Sequence, residues 1–192
     1  MINKILFPWI REKQGRVITM PANSGKQENL ILKTIQESKS KAKLFTCDRD
    51  FKKHETNISE QYSGWEAHHV GDVFKWLLSN DMLPAPTAIW FDMCGPLTLT
   101  NLDGIVGSTI KICSSSSLLF VTLCVHGARG LINDSITKKI YSHTLCPQMR
   151  AGLTEEILKV HISPYKKIKA LREPYVYKRG AATFAVFFLS VK

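Results

Sequence analysis

Short runs of β-branched and aromatic residues alternate with stretches whose apolar positions recur every three or four residues, and the alternation runs along the whole chain. That order predicts βαβ units and a parallel sheet. The first strand is predicted over Arg16 to Met20, stopped by Pro21, and a helix follows over Gln27 to Ser38, with Leu30, Ile31 and Ile35 at helical spacing. AKLFTC predicts the second strand, ending at Asp48. Residues 51–61 are polar enough for a solvated helix. WEAHHV then predicts a short third strand, and GDVFKWLLSN a helix in which Val73, Phe74, Leu77 and Leu78 form a stripe, read as core.

Pro84 and Pro86 break the chain before TAIWFD, the fourth strand, which reaches Asp92. Residues 99–113 predict a helix with Leu102, Ile105, Val106, Ile110 and Cys113 on one side. Ser114 to Ser117 reads as a helix exit into LLFVTLCV, the fifth strand. Residues 126–152 have mixed character and no clear period, and read as a loop or insertion. A helix is predicted to start near Thr154, because Glu155 and Glu156 suit a helix N-terminus. YVYKRGAATFAVFFLSV packs two β-rich runs around Arg179-Gly180, which predicts an antiparallel hairpin, since a parallel crossover needs a dozen or more residues. Residues 1–15 form an N-terminal helix or extension, and the 192 residues are expected to make one domain.

Charge adds a partner to this outline. The 26 Lys and Arg outweigh the 16 Asp and Glu to leave +10, which favours an anionic partner such as nucleic acid, although a merely basic surface gives the same sum. The five cysteines are scattered without a CxxC pair, so neither a disulfide framework nor a zinc cluster is suggested. The strongest apolar run, residues 118–125, is too short to cross a bilayer. The expectation is a reduced, soluble, cytoplasmic protein without a membrane partner.

The stretch VITMPANSGKQENL resembles a phosphate-binding loop of the GxxxxGKS or GxxxxGKT kind, but its register puts Met20 where the first glycine belongs and Gln27 where the magnesium-binding hydroxyl belongs. A degenerate nucleotide hydrolase with Asp92 as its metal-holding acid therefore keeps only Gly25 and Lys26 of the motif. The competing reading follows the acids. Asp48, Asp72 and Asp92 fall at or just after the ends of strands two, three and four. Open α/β sheets place ligands beyond the carboxyl ends of their strands, and an acid after strand two suits ribose hydroxyls.

With those features the sequence resembles the class I S-adenosylmethionine-dependent methyltransferases over nearly its whole length: a turn at Pro21 to Gly25, TCDRD after strand two, HHVGD before a helix, WFDMCGPL after strand four, and a terminal hairpin. The resemblance implies a Rossmann-like three-layer α/β/α sandwich, with a mostly parallel seven-stranded sheet and an antiparallel C-terminal hairpin strand beside strand five. It implies S-adenosylmethionine as cofactor, with Asp48 at the ribose, Asp72 and the Val73 backbone at the adenine, and Ala22, Asn23, Ser24 and Gly25 against the methionine part. Asp92 would begin the loop beside the reacting methyl group. The family's first loop is usually GxGxG after an acidic strand end, whereas here it is PANSG. Either a nonstandard loop binds the cofactor, or the site has decayed or been reused.

Asp92 is the catalytic candidate, as a carboxylate near a positive sulfur or as an orienting group; the alternative is a helix N-terminal acid satisfying backbone donors. Cys94, Gly95 and Pro96 are read as substrate-side residues, with Cys94 as a nucleophile or a structural thiol. His68 and His69 alternate across a strand, so they cannot both face one site. Arg129, Lys138 and Lys139, with His126 and Arg150, lie where substrate phosphates would be met. Lys159, Lys166, Lys167, Lys169, Arg172, Lys178 and Arg179 interleave with Tyr165, Tyr175 and Tyr177, a mixture that suits single-stranded nucleic acid or a solvated face with Tyr packed on the core. The expected function is methyl transfer to RNA or DNA. A catalytically silent methyltransferase-like module that binds nucleic acid or protein is the alternative.

Overall fold

Among the described residues, the alternating apolar runs form one eight-stranded sheet between two layers of helix. The computed structural model describes residues 1–20, 26–48, 65–93, 95–126, 135–141 and 145–192. In chain order the elements are α1 (Asn3–Lys13), β1 (Arg16–Thr19), α2 (Lys26–Glu37), β2 (Lys43–Asp48), β3 (Trp65–Val70), α3 (Val73–Ser79), β4 (Thr87–Asp92), α4 (Leu99–Ile112), β5 (Ser117–Cys124), α5 (Ser135–Ile140), α6 (Pro147–Ile162), β6 (Ile168–Ala170), β7 (Tyr175–Arg179) and β8 (Ala182–Val191). The helix predicted over residues 51–61 lies outside the described residues. Among the described residues no helix is long and apolar enough to cross a membrane.

The sheet order is β3-β2-β1-β4-β5-β8-β6, with β7 also on β8. Strands β1 to β5 pair in parallel. β8 runs antiparallel against β5 over eight register pairs. Its other edge is shared by two short strands: β6 pairs with Leu189 to Val191, and β7 pairs with Ala182 to Val186. The seventh position of the predicted sheet is therefore one broken strand. Residues 171–174 between the two pieces contain Pro174, which has no N–H to give a ladder. The predicted hairpin is β7–β8, turning through Gly180 at φ +60, a conformation that glycine takes without strain.

Alternation along each strand divides the core in two. Ile18, Ile89, Phe91, Leu119, Val121, Phe187 and Leu189 point to one face, where α3, α4 and α6 cover them. Val17, Leu44, Ala88, Leu118, Phe120, Val186 and Phe188 point to the other, beneath α1 and α2. Each of these buried side chains larger than Ala88 contributes roughly 1.5–3 kcal/mol. α1 is pinned to the second face by Trp9, whose Nε1 donates to the Ser116 carbonyl at 2.7 Å.

One predicted boundary moves. α6 begins at Pro147, seven residues before Thr154, with Cys146 at the N-cap and the proline in the first turn. Proline suits that position because its missing N–H has no partner to lose. Glu155 and Glu156 lie mid-helix, where they pair with Lys159 instead of compensating a helix dipole.

Candidate active site

On the face covered by α1 and α2, both central strands turn polar as they reach their carboxyl ends. β4 runs Ala88, Trp90, Asp92, and β5 runs Leu118, Phe120, Thr122, with Asp92 and Thr122 as register partners. The Trp90 indole Nε1 donates to Thr122 Oγ1 at 3.0 Å, and Thr122 hydrogen-bonds the Asp92 carboxylate. Trp90, Thr122 and Asp92 thus form one bonded chain at the end of the sheet.

This chain lies in a groove of about 440 Å³, within the size range of small-molecule sites. One wall is the start of α1 and α2, where Gln27 Nε2 donates to Asn3 Oδ1 at 2.6 Å. The facing wall is Tyr175, Tyr177 and Lys178 of β7, with Val186 and Phe188 of β8 beneath. Gln27, read in the sequence as the missing hydroxyl of a phosphate loop, is thus a tie between two helices.

Burial raises the Asp92 carboxyl above its ordinary range; the Thr122 hydrogen bond and the positive charge of Arg179 pull it back without cancelling the effect. The alternative role for Asp92, a helix cap, is not the one it plays. α4 is capped by Thr98, which accepts from the Asn101 N–H at 3.1 Å.

Asp48 is the last residue of β2 and Asp72 follows the end of β3, so parallel pairing brings both to the same sheet edge as Asp92. Asp72 is exposed and caps α3, accepting from the Lys75 N–H at 2.9 Å. Gly71 before it has φ +143, a backbone state that side chains rarely adopt, and Val73 after it is buried. Residues 22–25, Cys94 and Arg129 lie outside the described residues. The Gly95 carbonyl accepts from the Cys124 N–H at 2.9 Å, and the Pro96 carbonyl from Asn101 Nδ2 at 3.2 Å. Those contacts hold the loop after β4 against β5 and α4. Lys138 is exposed on α5, and Lys139 belongs to the same helix.

Arg150 leaves the substrate side, and Lys159 leaves the second basic cluster. Arg150 is buried, with Nη1 donating to the Val125 carbonyl at 3.2 Å and its guanidinium 5.9 Å from the Tyr141 ring. Lys159 is held by Glu155 at 3.3 Å and by Glu156. The remaining exposed cations, Lys167, Lys169, Arg172, Lys178 and Arg179, line the broken outer edge of the sheet on and around β6 and β7. His69 stacks on Trp76, with ring centroids 5.1 Å apart.

Thr122, Trp90 and the α1 residues were not singled out by the sequence. The signal for Trp90 was present in TAIWFD, because a residue two before Asp92 must share its face. Nothing in the sequence ties Thr122 or Asn3 to that face before the strand order is known.

No family model matches the chain, and no curated protein matches it in sequence. Solved structures match it in fold. It is similar to the fibrillarin pre-rRNA processing protein of Methanococcus jannaschii, with TM-score 0.55 and 8% identity over 96% of this chain and 70% of that one. It is similar to the O-methyltransferase TomG of Streptomyces achromogenes, solved in complex with SAM, with TM-score 0.60 and 10% identity over 100% of this chain and 79% of that one. An rRNA-methylase candidate from Clostridium thermocellum gives TM-score 0.54 and 10% identity over 98% and 94%. With its antiparallel β8 set between β5 and the outer edge, the chain has the fold of the class I S-adenosylmethionine-dependent methyltransferases.

Proposed function

We propose that the protein is an S-adenosylmethionine-dependent methyltransferase acting on nucleic acid. The observation that carries the reading is Asp92. In this fold it is a carboxylate held at the end of β4 by Thr122, inside a groove, with no helix to cap.

The donor set fits the cofactor in chemistry. The cofactor presents a sulfonium, an ammonium and ribose hydroxyls, all of which favour carboxylate neighbours, and three acids come to this sheet edge at positions 48, 72 and 92. Asp48 would take the ribose, Asp72 with the Val73 backbone the adenine, and residues 22–25 the methionine part. When bound, the cofactor supplies an electrophilic methyl group for in-line displacement. The protein's tasks are then alignment and exclusion of water. Thr122 holds one acceptor site of Asp92, and the carboxylate has further lone pairs to orient an incoming N–H or O–H. Its raised proton affinity suits it to receive that proton. Gly95, Pro96 and Cys94 would border the acceptor, with Arg129, Lys138 and Lys139 on its phosphates.

Nucleic acid as the acceptor is supported by the +10 net charge and by the exposed cations beside the groove. Two of the similar structures carry rRNA processing or methylation in their names. The test is to incubate the protein with tritiated S-adenosylmethionine and separated RNA, DNA and protein fractions of a cell extract. Label in RNA or DNA, lost with Asp92→Ala, is the expected result. Label confined to protein or small molecules would remove nucleic acid from the reading.

A further inference from the structure

We propose that the β7 wall of the groove is a stacking platform for a single-stranded nucleic acid, so that the acceptor is an unpaired segment and not a duplex. This rests on the methyltransferase reading for its meaning, though the binding itself can be measured alone.

β7 and β8 build an aromatic ladder along the rim of the sheet, starting at the half-buried Phe184. Phe184 stacks on its cross-strand partner Tyr177, with centroids 5.8 Å apart and planes at 25°. Tyr177 stacks on Tyr175, two residues along the same face, at 5.8 Å and 16°. The ladder ends in solvent: Tyr177 is half-buried, whereas Tyr175 is 43% exposed. A tyrosine that only served the core would be covered at its ring. Tyr175 instead carries the aromatic surface from Phe184 into the groove that Asp92 also lines.

Cations flank this surface. Lys178 lines the groove, the Arg172 guanidinium stands 5.2 Å from the Phe188 ring, and the positive charge of Arg179 reaches Asp92. Exposed aromatic rings bordered by Lys and Arg match a strand whose bases are free to stack and whose phosphates need neutralising. A duplex offers no free base face to Tyr175, since its bases already stack on one another. An acidic peptide would satisfy the cations and leave the ladder without a partner. A base laid on Tyr175 brings its neighbours along the groove toward Asp92, which places the platform and the reacting end in one continuous site.

The experiment is fluorescence anisotropy with the full chain and a fluorescein-labelled 15-nucleotide RNA of mixed sequence, single-stranded or annealed to its complement. The single strand is expected to bind about 10-fold or more tightly than the duplex. Tyr175→Ala is expected to weaken it about 5- to 150-fold, with Tyr175→Trp restoring affinity and circular dichroism showing both variants folded. Arg172→Ala and Lys178→Ala should each reduce the slope of log affinity against log salt by about 0.7. Equal binding of strand and duplex would overturn the proposal. So would a Tyr175→Ala variant that binds like the wild type, or a poly-glutamate peptide that displaces the RNA at equal charge concentration. Calorimetry of the wild type with S-adenosylmethionine separates the two levels. Strand binding through Tyr175 without cofactor binding leaves the platform standing and removes the methyltransferase reading; cofactor binding without strand preference does the reverse.

Discussion

Thr122 stands beside Asp92 in the parallel register of β4 and β5 and bonds its carboxylate while accepting the Trp90 indole N–H at 3.0 Å. The hydroxyl is thus both acceptor and donor, and its loss is felt at two residues. Thr122→Val keeps the shape and removes both bonds. Without that hydrogen bond the Asp92 carboxyl moves further above its ordinary range, so the acid limb of the pH–rate profile should shift upward. The loss of methyl transfer should therefore be largest on the acid side of the profile, where the protonated fraction of Asp92 grows. Thr122→Ser should restore the profile.

Asp92→Asn separates function from stability. Methyl transfer should drop by about 10²-fold or more, the contribution of a positioned proton acceptor. Stability should move the other way. Burial holds the folded-state carboxyl above its unfolded value of about 3.9. Between the two values the folded chain binds the extra proton, so stability falls as pH rises through that window. Above that window the ionised carboxylate is a net cost, and there Asp92→Asn should melt higher than the wild type. The advantage should vanish once the pH is below both values. Thermal melts from acid to neutral pH check the sign, and a variant that melts lower at every pH would contradict it.

Gly104 supports the same strand from behind. A Cβ on this α4 residue would sit 2.4 to 2.7 Å from ring atoms of Phe74 in α3, and Phe74 in turn packs on Phe91 of β4 at 5.3 Å. Gly104→Ala should therefore overpack the α3–α4 contact at a cost of about 1–3 kcal/mol. Melting temperature should fall about 2–4 °C for each kcal/mol. Gly152, with nothing within 4 Å of its Cβ position, is the control; Gly152→Ala should not overpack.

The strands were legible because their apolar runs are short, β-branched and bounded by proline, glycine or acid. TAIWFD and WEAHHV coincide with β4 and β3. The terminal hairpin was legible because Arg179-Gly180 leaves no room for a crossover. The start of α6 was not. Glu155 and Glu156 imitate an N-terminal pair, while Cys146-Pro147, the true entry, sits in a stretch without period. The broken edge strand was hidden because β6 has three residues, too few for an alternation to show. In the site, Asp92 could be read from its place after an apolar strand. Its surroundings could not, because Thr122 bonds it and Asn3 and Tyr175 share its groove only once β5, α1 and β7 are set around β4. Arg150 and Lys159 looked like surface cations for the same reason: a buried carbonyl at Val125 and the carboxylates of Glu155 and Glu156 claim them only in the folded chain.

The central claim is that the acid-lined edge of the sheet binds S-adenosylmethionine, and isothermal titration of the folded protein with the cofactor tests it most directly. Saturable one-to-one binding, lost in Asp48→Ala and absent with ATP and magnesium, is the predicted result. A folded protein that gives no heat with S-adenosylmethionine at any accessible concentration would contradict it.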